Sequence, residues 1–457
     1  MTRTGELSTL LAPDLVDSWS EYQETVGPEA AREDSDAFAA GIYRKGWPHI
    51  FPPPLFSSEF VDELSHAART VVGLLRAVPE RVFGGDFAAW MEFQGLTREE
   101  SELLTRSLNK RNLQMASRFA RPDFVLTTGG PKVVEVNVSA PLGGMNTVDP
   151  YVKQFRSSGY FRHLQEAGYD VSAPEMRSIW GEAFQSLVRP RQSDGRPVVF
   201  EAIADSNDIN SGRQAFEKLV GSFGFAYANG LVQDLDVRAD GVYYEGRRVD
   251  VVFTMYTWLE TRKFVPAEIT IGLMEADAAG LVDFIAPPTS ALFDHKANLE
   301  LLTSDSFAEC FTGAERDFIR RYVPRTFRVT EETAPEALAD QSRMVLKPGS
   351  DYGGRGIVFG DRVSGEEWST AIDAAAAGSG FICQQRLEEL WTGQGFNGTE
   401  YRDHYVCLGP LVFADKYAGT FVRWADAASG NAVINVKQGA ESGALLAGHA
   451  AAVRGCS

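Results

Sequence analysis

A short apolar run, Val345-Leu-Lys-Pro348, is followed at once by Gly-Ser-Asp-Tyr-Gly-Gly-Arg-Gly356. The run reads as a strand with Lys347 where it emerges. Gly353, Gly354 and Gly356 then let the backbone approach an anion that side chains would otherwise exclude. On its own such a stretch is as often a plain turn as a phosphate cover. Two other stretches set its context: Gly380-Phe-Ile-Cys-Gln-Gln-Arg-Leu387, a second apolar strand ending in polar residues, and Lys132-Val-Val-Glu-Val-Asn137, far upstream.

Phe124-Val-Leu126 and Val133 to Asn137, separated by Thr127-Thr-Gly-Gly-Pro131, read as a hairpin. Side chains alternate across a strand, so Glu135 and Asn137 share a face. Two oxygen-bearing groups on one face suit magnesium, and they equally suit the solvated face of an edge hairpin. Arg121-Pro-Asp123 adjoins them and favours the metal reading.

Elsewhere the pattern gives organisation more than chemistry. Phe60, Leu64, Ala67, Ala68, Val71 and Leu75 fall at helical spacing after Ser57-Ser58, with Pro79 expected to stop the helix. Trp47 to Pro54 reads as a rigid connector, and His49 within it as structural. Arg98 to Arg111 is a further helical region. From Val198 to Ala286 strands alternate with a helix, the pattern of an open α/β unit. Ligands sit at the carboxyl ends of such strands, which makes Asp205, Ser206, Asn207 and Arg213 candidate substrate contacts; helix entry explains an Asx-rich loop equally well. Val242 to Val249 is a hairpin with Glu245-Gly246 at its tip, and Tyr256 and Trp258 are candidates for a pocket edge, although aromatics after a strand more often belong to the core. Thr312 to Tyr322 is helical. Gly393 to Gly398 reads as a loop, Arg402 to Phe413 as two strands about a Gly409-Pro410 turn, and the Ala- and Gly-rich tail after Ser442 as a helix.

The chain has 457 residues, 44% of them hydrophobic and 23% charged, enough for two or three cores. A net charge of -18 argues against nucleic acid or an anionic membrane as partner. Cys310, Cys383, Cys407 and Cys456 lack metal-ligand spacing and read as reduced thiols of a cytoplasmic protein. The amino-terminal stretch has no long apolar segment of the signal-peptide kind, and no run approaches the roughly 18 to 20 apolar residues of a membrane helix.

Taken in order, Arg121-Pro-Asp123, Glu135-Val-Asn137, the Lys347 strand with its glycine loop, and Phe381 to Leu387 resemble the ATP-grasp superfamily. The metal pair precedes the glycine loop, an order similar to the circularly permuted branch typified by the synthetase domain of glutathionylspermidine synthase. The resemblance covers roughly residues 115–440. It implies an α/β protein built of α+β lobes: a mostly helical region 1–115, a metal-binding hairpin and connection 116–194, an open α/β substrate domain 195–287, a nucleotide lobe 288–400, and completing strands 401–457.

It also implies roles. Asp123, Glu135 and Asn137 would hold Mg2+. Lys296, Lys347 and the loop Gly353, Gly354, Arg355, Gly356 would hold the phosphates of ATP, and Gln384, Gln385, Arg386 and Leu387 would form the adenine hinge, with Glu388 or Glu389 at ribose. Arg121 or Arg423 would face the transferring phosphoryl group, and Ser139, Asp205, Ser206, Asn207 and Asn435 the substrates. Ser139-Ala-Pro141 departs from the family's usual Asp-Thr-Pro, and no Cys–His pair suggests an amidase. The implied activity is amide formation between a small-molecule carboxylate and an amine, amino acids or small peptides, through an acyl phosphate with release of ADP. A non-catalytic ATP-binding protein and a small-molecule phosphotransferase are the alternatives.

Overall fold

The computed structural model describes residues 11, 12, 15, 17–42, 48–138, 142–189, 195–205, 213–351, 353–378, 380–396, 401–430 and 433–450. It opens with α1 (Ser18–Val26), α2 (Pro28–Ile42), β1 (Leu55–Phe56), α3 (Ser58–Phe83), α4 (Phe87–Phe93), α5 (Arg98–Ser107) and α6 (Lys110–Met115). Ser57 starts α3 by accepting the Phe60 N–H at 3.2 Å. Contrary to expectation, Pro79 does not stop the helix. Proline lacks only its own N–H, and α3 runs on to Phe83 before Gly84 ends it in the left-handed conformation, φ 58°.

The middle of the chain holds β2 (Phe119–Thr127), β3 (Gly130–Asn137), α7 (Val148–Arg156), α8 (Gly159–Glu166), β4 (Tyr169–Ser172) and α9 (Met176–Leu187). Next come β5 (Val198–Ile203), α10 (Arg213–Ser222), β6 (Ala226–Leu231), β7 (Asp236–Arg238), β8 (Gly241–Tyr244), β9 (Arg247–Val249), β10 (Val251–Thr254), α11 (Trp258–Phe264), α12 (Ala267–Ala278) and β11 (Asp283–Ile285). Strands β11-β10-β5-β6 form a parallel sheet. Their near-continuous apolar runs follow from burial on both faces: Phe200 and Val252 pack in one cluster, Val199 and Phe253 in another.

The last third comprises α13 (Ser290–Asp294), α14 (Asn298–Thr303), α15 (Gly313–Tyr322), β12 (Thr326–Arg328), α16 (Ala334–Ala339), β13 (Met344–Pro348), β14 (Val358–Phe359), α17 (Gly365–Ala377), β15 (Phe381–Gln385), β16 (Thr392–Phe396), β17 (Tyr401–Phe413), β18 (Lys416–Asp426), β19 (Glu441–Ala444) and β20 (Leu446–Ala450). Among the described residues capping boxes begin five helices, Thr97 with Glu100 on α5, Asn109 with Asn112 on α6, Thr257 with Glu260 on α11, Thr312 with Glu315 on α15 and Ser364 with Glu367 on α17.

Two antiparallel sheets position the residues of the sequence motifs. One has the order β12-β15-β13-β14 and carries Lys347; the other has the order β19-β18-β17-β2-β3, with β16 on β17. The second sheet turns Phe124, Val136, Val138 and Leu408 toward α3, in one cluster with Phe60, Leu64 and Val71. By alternation, Arg121, Asp123, Glu135 and Asn137 occupy its other face.

Three expectations about the carboxyl-terminal strands are corrected. Arg402 to Phe413 is one strand, not two, because the N–H that Pro410 lacks falls at a register shift between Pro410 and Val412. Residues 393–396 of the expected loop belong to β16, which pairs with β17. The tail is extended, not helical, as far as residue 450, with 451–457 outside the described residues: its small residues let the backbone pass close to larger side chains, and a Cβ at Gly448 would lie 2.5 Å from Leu15 Cδ1. Among the described residues no helix is long and apolar enough to cross a membrane.

Candidate functional site

Hairpin register places Arg121 opposite Asn137 and Asp123 opposite Glu135. The Asp123 carboxylate is gripped from three sides. Arg121 donates Nε to Oδ1 at 2.9 Å and Nη2 to Oδ2 at 3.1 Å, Arg423 Nη2 stands 2.7 Å from Oδ1, and Asn137 Nδ2 donates to Oδ2 at 3.3 Å. Burial alone would raise the Asp123 pKa, but the two guanidiniums outweigh it and hold the carboxyl well below the usual range. Burial likewise works against the Arg423 cation, and Asp123 more than restores it. Arg423 Nη2 also reaches Cys407 Sγ at 3.1 Å, and burial pushes that thiol up to about 12.

Two glycines clear the space for Arg121. A Cβ at Gly409 would lie 2.8 Å from Arg121 Cδ, and one at Gly143 would lie 2.7 Å from Arg121 Nη1. Arg121 Nη1 donates to the Gly143 carbonyl at 3.0 Å.

Both lysines face the same hairpin. Lys296 Nζ lies 3.4 Å from Glu135 Oε2 and donates to the Asp351 carbonyl at 2.7 Å, while its backbone N–H meets Gly349 O at 2.8 Å. Lys347 Nζ donates to Gln384 Oε1 at 2.6 Å and to Val134 O at 3.3 Å. Burial pushes Lys347 down to about 8, with Lys296 adding to the shift and Glu135 opposing it. Glu135 itself keeps 27% of its side chain exposed, so an anion entering here meets two cations and a carboxylate at the mouth of the site.

His295, beside Lys296, was not singled out from the sequence. Its ring packs over Gly349, where a Cβ would lie 2.3 Å from Cε1, and Nδ1 accepts the Ala297 N–H at 3.2 Å. Burial, then Lys296 and Arg328, push its pKa down to about 3. Between pH 6.5 and 3 the unfolded chain therefore binds a proton that the folded chain refuses, and stability is lost as pH falls through that window. By pH 5 the expected loss from this residue is about 2 kcal/mol. Asp277, pushed by burial up to about 6, acts in the opposite sense, so the comparison must be with His295→Gln. Urea unfolding at pH 7 and pH 5 should show a smaller acid penalty in the variant; an equal penalty would exclude His295 as its source.

The other expected residues fall as follows. Gly353, Gly354 and Gly356 all have positive φ (73°, 77° and 69°), and Arg355 pairs with Asp351 at 3.2 Å. A Cβ at Gly354 would lie 2.6 Å from Val433 Cγ1, so the loop closes against the segment carrying Asn435. Asn435 is a turn former here: Oδ1 accepts the Lys437 N–H at 2.9 Å at the head of a short 3-10 turn, Val436–Gln438. Gln384 links Lys347 to Thr326, donating Nε2 to Thr326 Oγ1 at 3.1 Å. The N–H groups of Gln385 and Arg386 are taken by Arg325 O and Arg343 O, at 2.8 and 2.7 Å. An adenine edge would therefore be read at their carbonyls or at Leu387. Glu389 bonds Thr128 at the hairpin turn, through its carbonyl at 2.8 Å and through Oε2, also at 2.8 Å. It is thus not aimed at a ribose.

Asp205 stands at the carboxyl end of β5, half-buried; Ser206, Asn207 and Ser139 lie outside the described residues. His49 Nδ1 meets Ser442 Oγ at 2.9 Å, a bridge between connector and sheet. Tyr256 and Trp258 are buried.

A magnesium ion fits part of the expected ligand set. Glu135 and Asn137 Oδ1 present oxygens from one face of β3, and magnesium takes one or two such ligands together with phosphate and water. Asp123 does not fit as the structure stands, because it is 1% exposed and its oxygens are engaged by Arg121, Arg423 and Asn137. Among the described residues no group of three His, Cys, Asp or Glu is arranged to hold a metal.

No family model matches the sequence, and no curated protein matches it significantly. Among solved structures, a Methylobacillus flagellatus KT protein provisionally named a gamma-glutamylcysteine synthetase aligns over 87% of this chain and 89% of its own. The TM-score is 0.46 at 11% identity. The ATP-grasp ligase PsnB, solved with a minimal precursor, aligns over 57% of this chain and 92% of its own, with a TM-score of 0.31 at 13% identity.

Proposed function

We propose that the chain is a circularly permuted ATP-grasp enzyme that joins a small-molecule carboxylate to an amine, with amino acids or small peptides as substrates. One observation carries the reading. Side chains scattered from Arg121 to Arg423 converge on one spot, with Glu135 meeting Lys296, Asp123 meeting Arg423, and Lys347 meeting the carbonyl of Val134. The sheet that carries Glu135 mixes early strands with the last ones, and the sheet that carries Lys347 comes from between them, as a permuted grasp requires.

In this reading the lysines and the backbone N–H groups of the Gly353–Gly356 loop hold the triphosphate. Glu135 and Asn137 would hold magnesium, which would supply neutralisation of the phosphate charge. The carboxylate substrate attacks the terminal phosphorus, the bond to the bridging oxygen breaks, and ADP leaves. The amine then attacks the acyl phosphate, expels phosphate and gives up a proton. Positioning and charge neutralisation are what the protein contributes to such a transfer. Arg121 and Arg423 do this without rearrangement, since Asp123 fixes both guanidiniums beforehand.

Lys347 gives the test. Phosphate should restore its proton, so ATP binding near pH 8 should take up protons, measurable by calorimetry in buffers of different ionisation enthalpy. Lys347→Ala should abolish that uptake and raise the apparent ATP constant by roughly tenfold or more, with both acceptors nearly spared. Equal weakening of all substrates would remove Lys347 from the phosphates.

A further inference from the structure

A cleft of about 290 Å3 opens at the amino ends of the parallel sheet, lined by Arg196, Val198, Ala226, Arg247, Arg248 and Asp250. Val198 and Ala226 are the first residues of β5 and β6, and Asp250 precedes β10. The carboxyl ends of these strands lead the other way, through Ala286 toward Lys296, so the cleft is separate from the lysine and arginine cluster.

Its floor and rim carry opposite charge. Asp250 is 3% exposed; Oδ2 accepts the Val198 N–H at 2.7 Å, while Oδ1 is buried without a hydrogen-bond partner among the described residues. A buried acceptor in that state calls for a donor. Arg196, Arg247 and Arg248 are exposed, and none forms an ion pair with a described acid, although acidic residues outnumber Lys and Arg by 62 to 44 in the chain. A simple anion would satisfy the rim and leave Asp250 Oδ1 unmet. A diamine would satisfy Asp250 and be repelled by three guanidiniums. A molecule with one ammonium and two carboxylates satisfies both, and the volume suits one of amino-acid size.

We propose that this cleft is a second small-molecule site, for an acidic α-amino acid, with the ammonium on Asp250 and the carboxylates on Arg247, Arg248 and Arg196. The site belongs to the parallel-sheet unit and does not depend on the ligase reading.

Calorimetric titration of the nucleotide-free full chain with L-glutamate and L-aspartate tests it, with 2-oxoglutarate and 1,4-diaminobutane as the probes lacking ammonium or carboxylates. At least one amino acid should bind more tightly than either control. Arg247→Ala combined with Arg248→Ala should weaken it by roughly tenfold or more, and both positions are exposed enough for the fold to survive. Asp250→Asn keeps an oxygen for Val198 N–H and should weaken the amino acid selectively over 2-oxoglutarate. The proposal is overturned if neither amino acid binds or if the arginine variants bind as the wild type does.

Discussion

Glu135→Gln should yield a folded protein with little activity, a loss of turnover on the order of a hundredfold or more. Glutamine keeps the shape and one acceptor oxygen but removes the charge that faces Lys296 at 3.4 Å and that a magnesium ion would require. The partial exposure of this side chain sets the other half of the expectation: an ion pair at the edge of solvent contributes under about 1 kcal/mol to folding. Turnover at saturating magnesium, measured beside the thermal melt, checks both halves. Near wild-type turnover would remove Glu135 from the reaction, and a collapsed melt would make it structural.

Asp123→Ala should behave in the reverse manner, unfolding the protein before it says anything about metal. Removal of this carboxylate strands the buried Arg423 and Arg121 guanidiniums without their shared partner, a change that costs about 3–5 kcal/mol when one member of a buried pair is lost. Denaturant unfolding of the variant should show that loss in full. A variant as stable as the wild type, inactive and unresponsive to magnesium, would instead return Asp123 to the metal. The two substitutions together separate a carboxylate that faces the ligand from one that anchors the arginines behind it.

Why the sequence separates these two acids poorly is a matter of what spacing encodes. Alternation along β3 places Glu135 and Asn137 on one face whatever lies opposite, and it holds in the structure. The partner of Asp123 is Arg423, some three hundred residues later by the numbering, and no local period reports a contact of that kind. The space around Arg121 is written in two glycines, Gly143 and Gly409; Gly409 reads locally as a turn residue and in fact lies inside a continuous strand. His295 was similarly silent, because a histidine neutralised by burial leaves no mark in its neighbours. The helical regions read at Arg98 and at Thr312 are present, whereas the helices behind Thr257 and Ser364 were not read from the sequence, although each starts on a local Thr or Ser to Glu bond. The strands of the tail were not read either, because its alanines favour a helix and the contacts that decide otherwise, Leu15 beside Gly448 and Tyr151 beside Gly443, come from far along the chain.

Identification of the products of a completed reaction addresses the central claim most directly. With ATP, magnesium, a carboxylate and an amine, the account predicts ADP and an amide in equal amounts, and, when hydroxylamine replaces the amine, a hydroxamate. AMP with pyrophosphate would contradict the terminal transfer assigned to the cluster of Glu135, Lys296 and Lys347. ADP with a stable phosphorylated product and no amide would contradict the ligase.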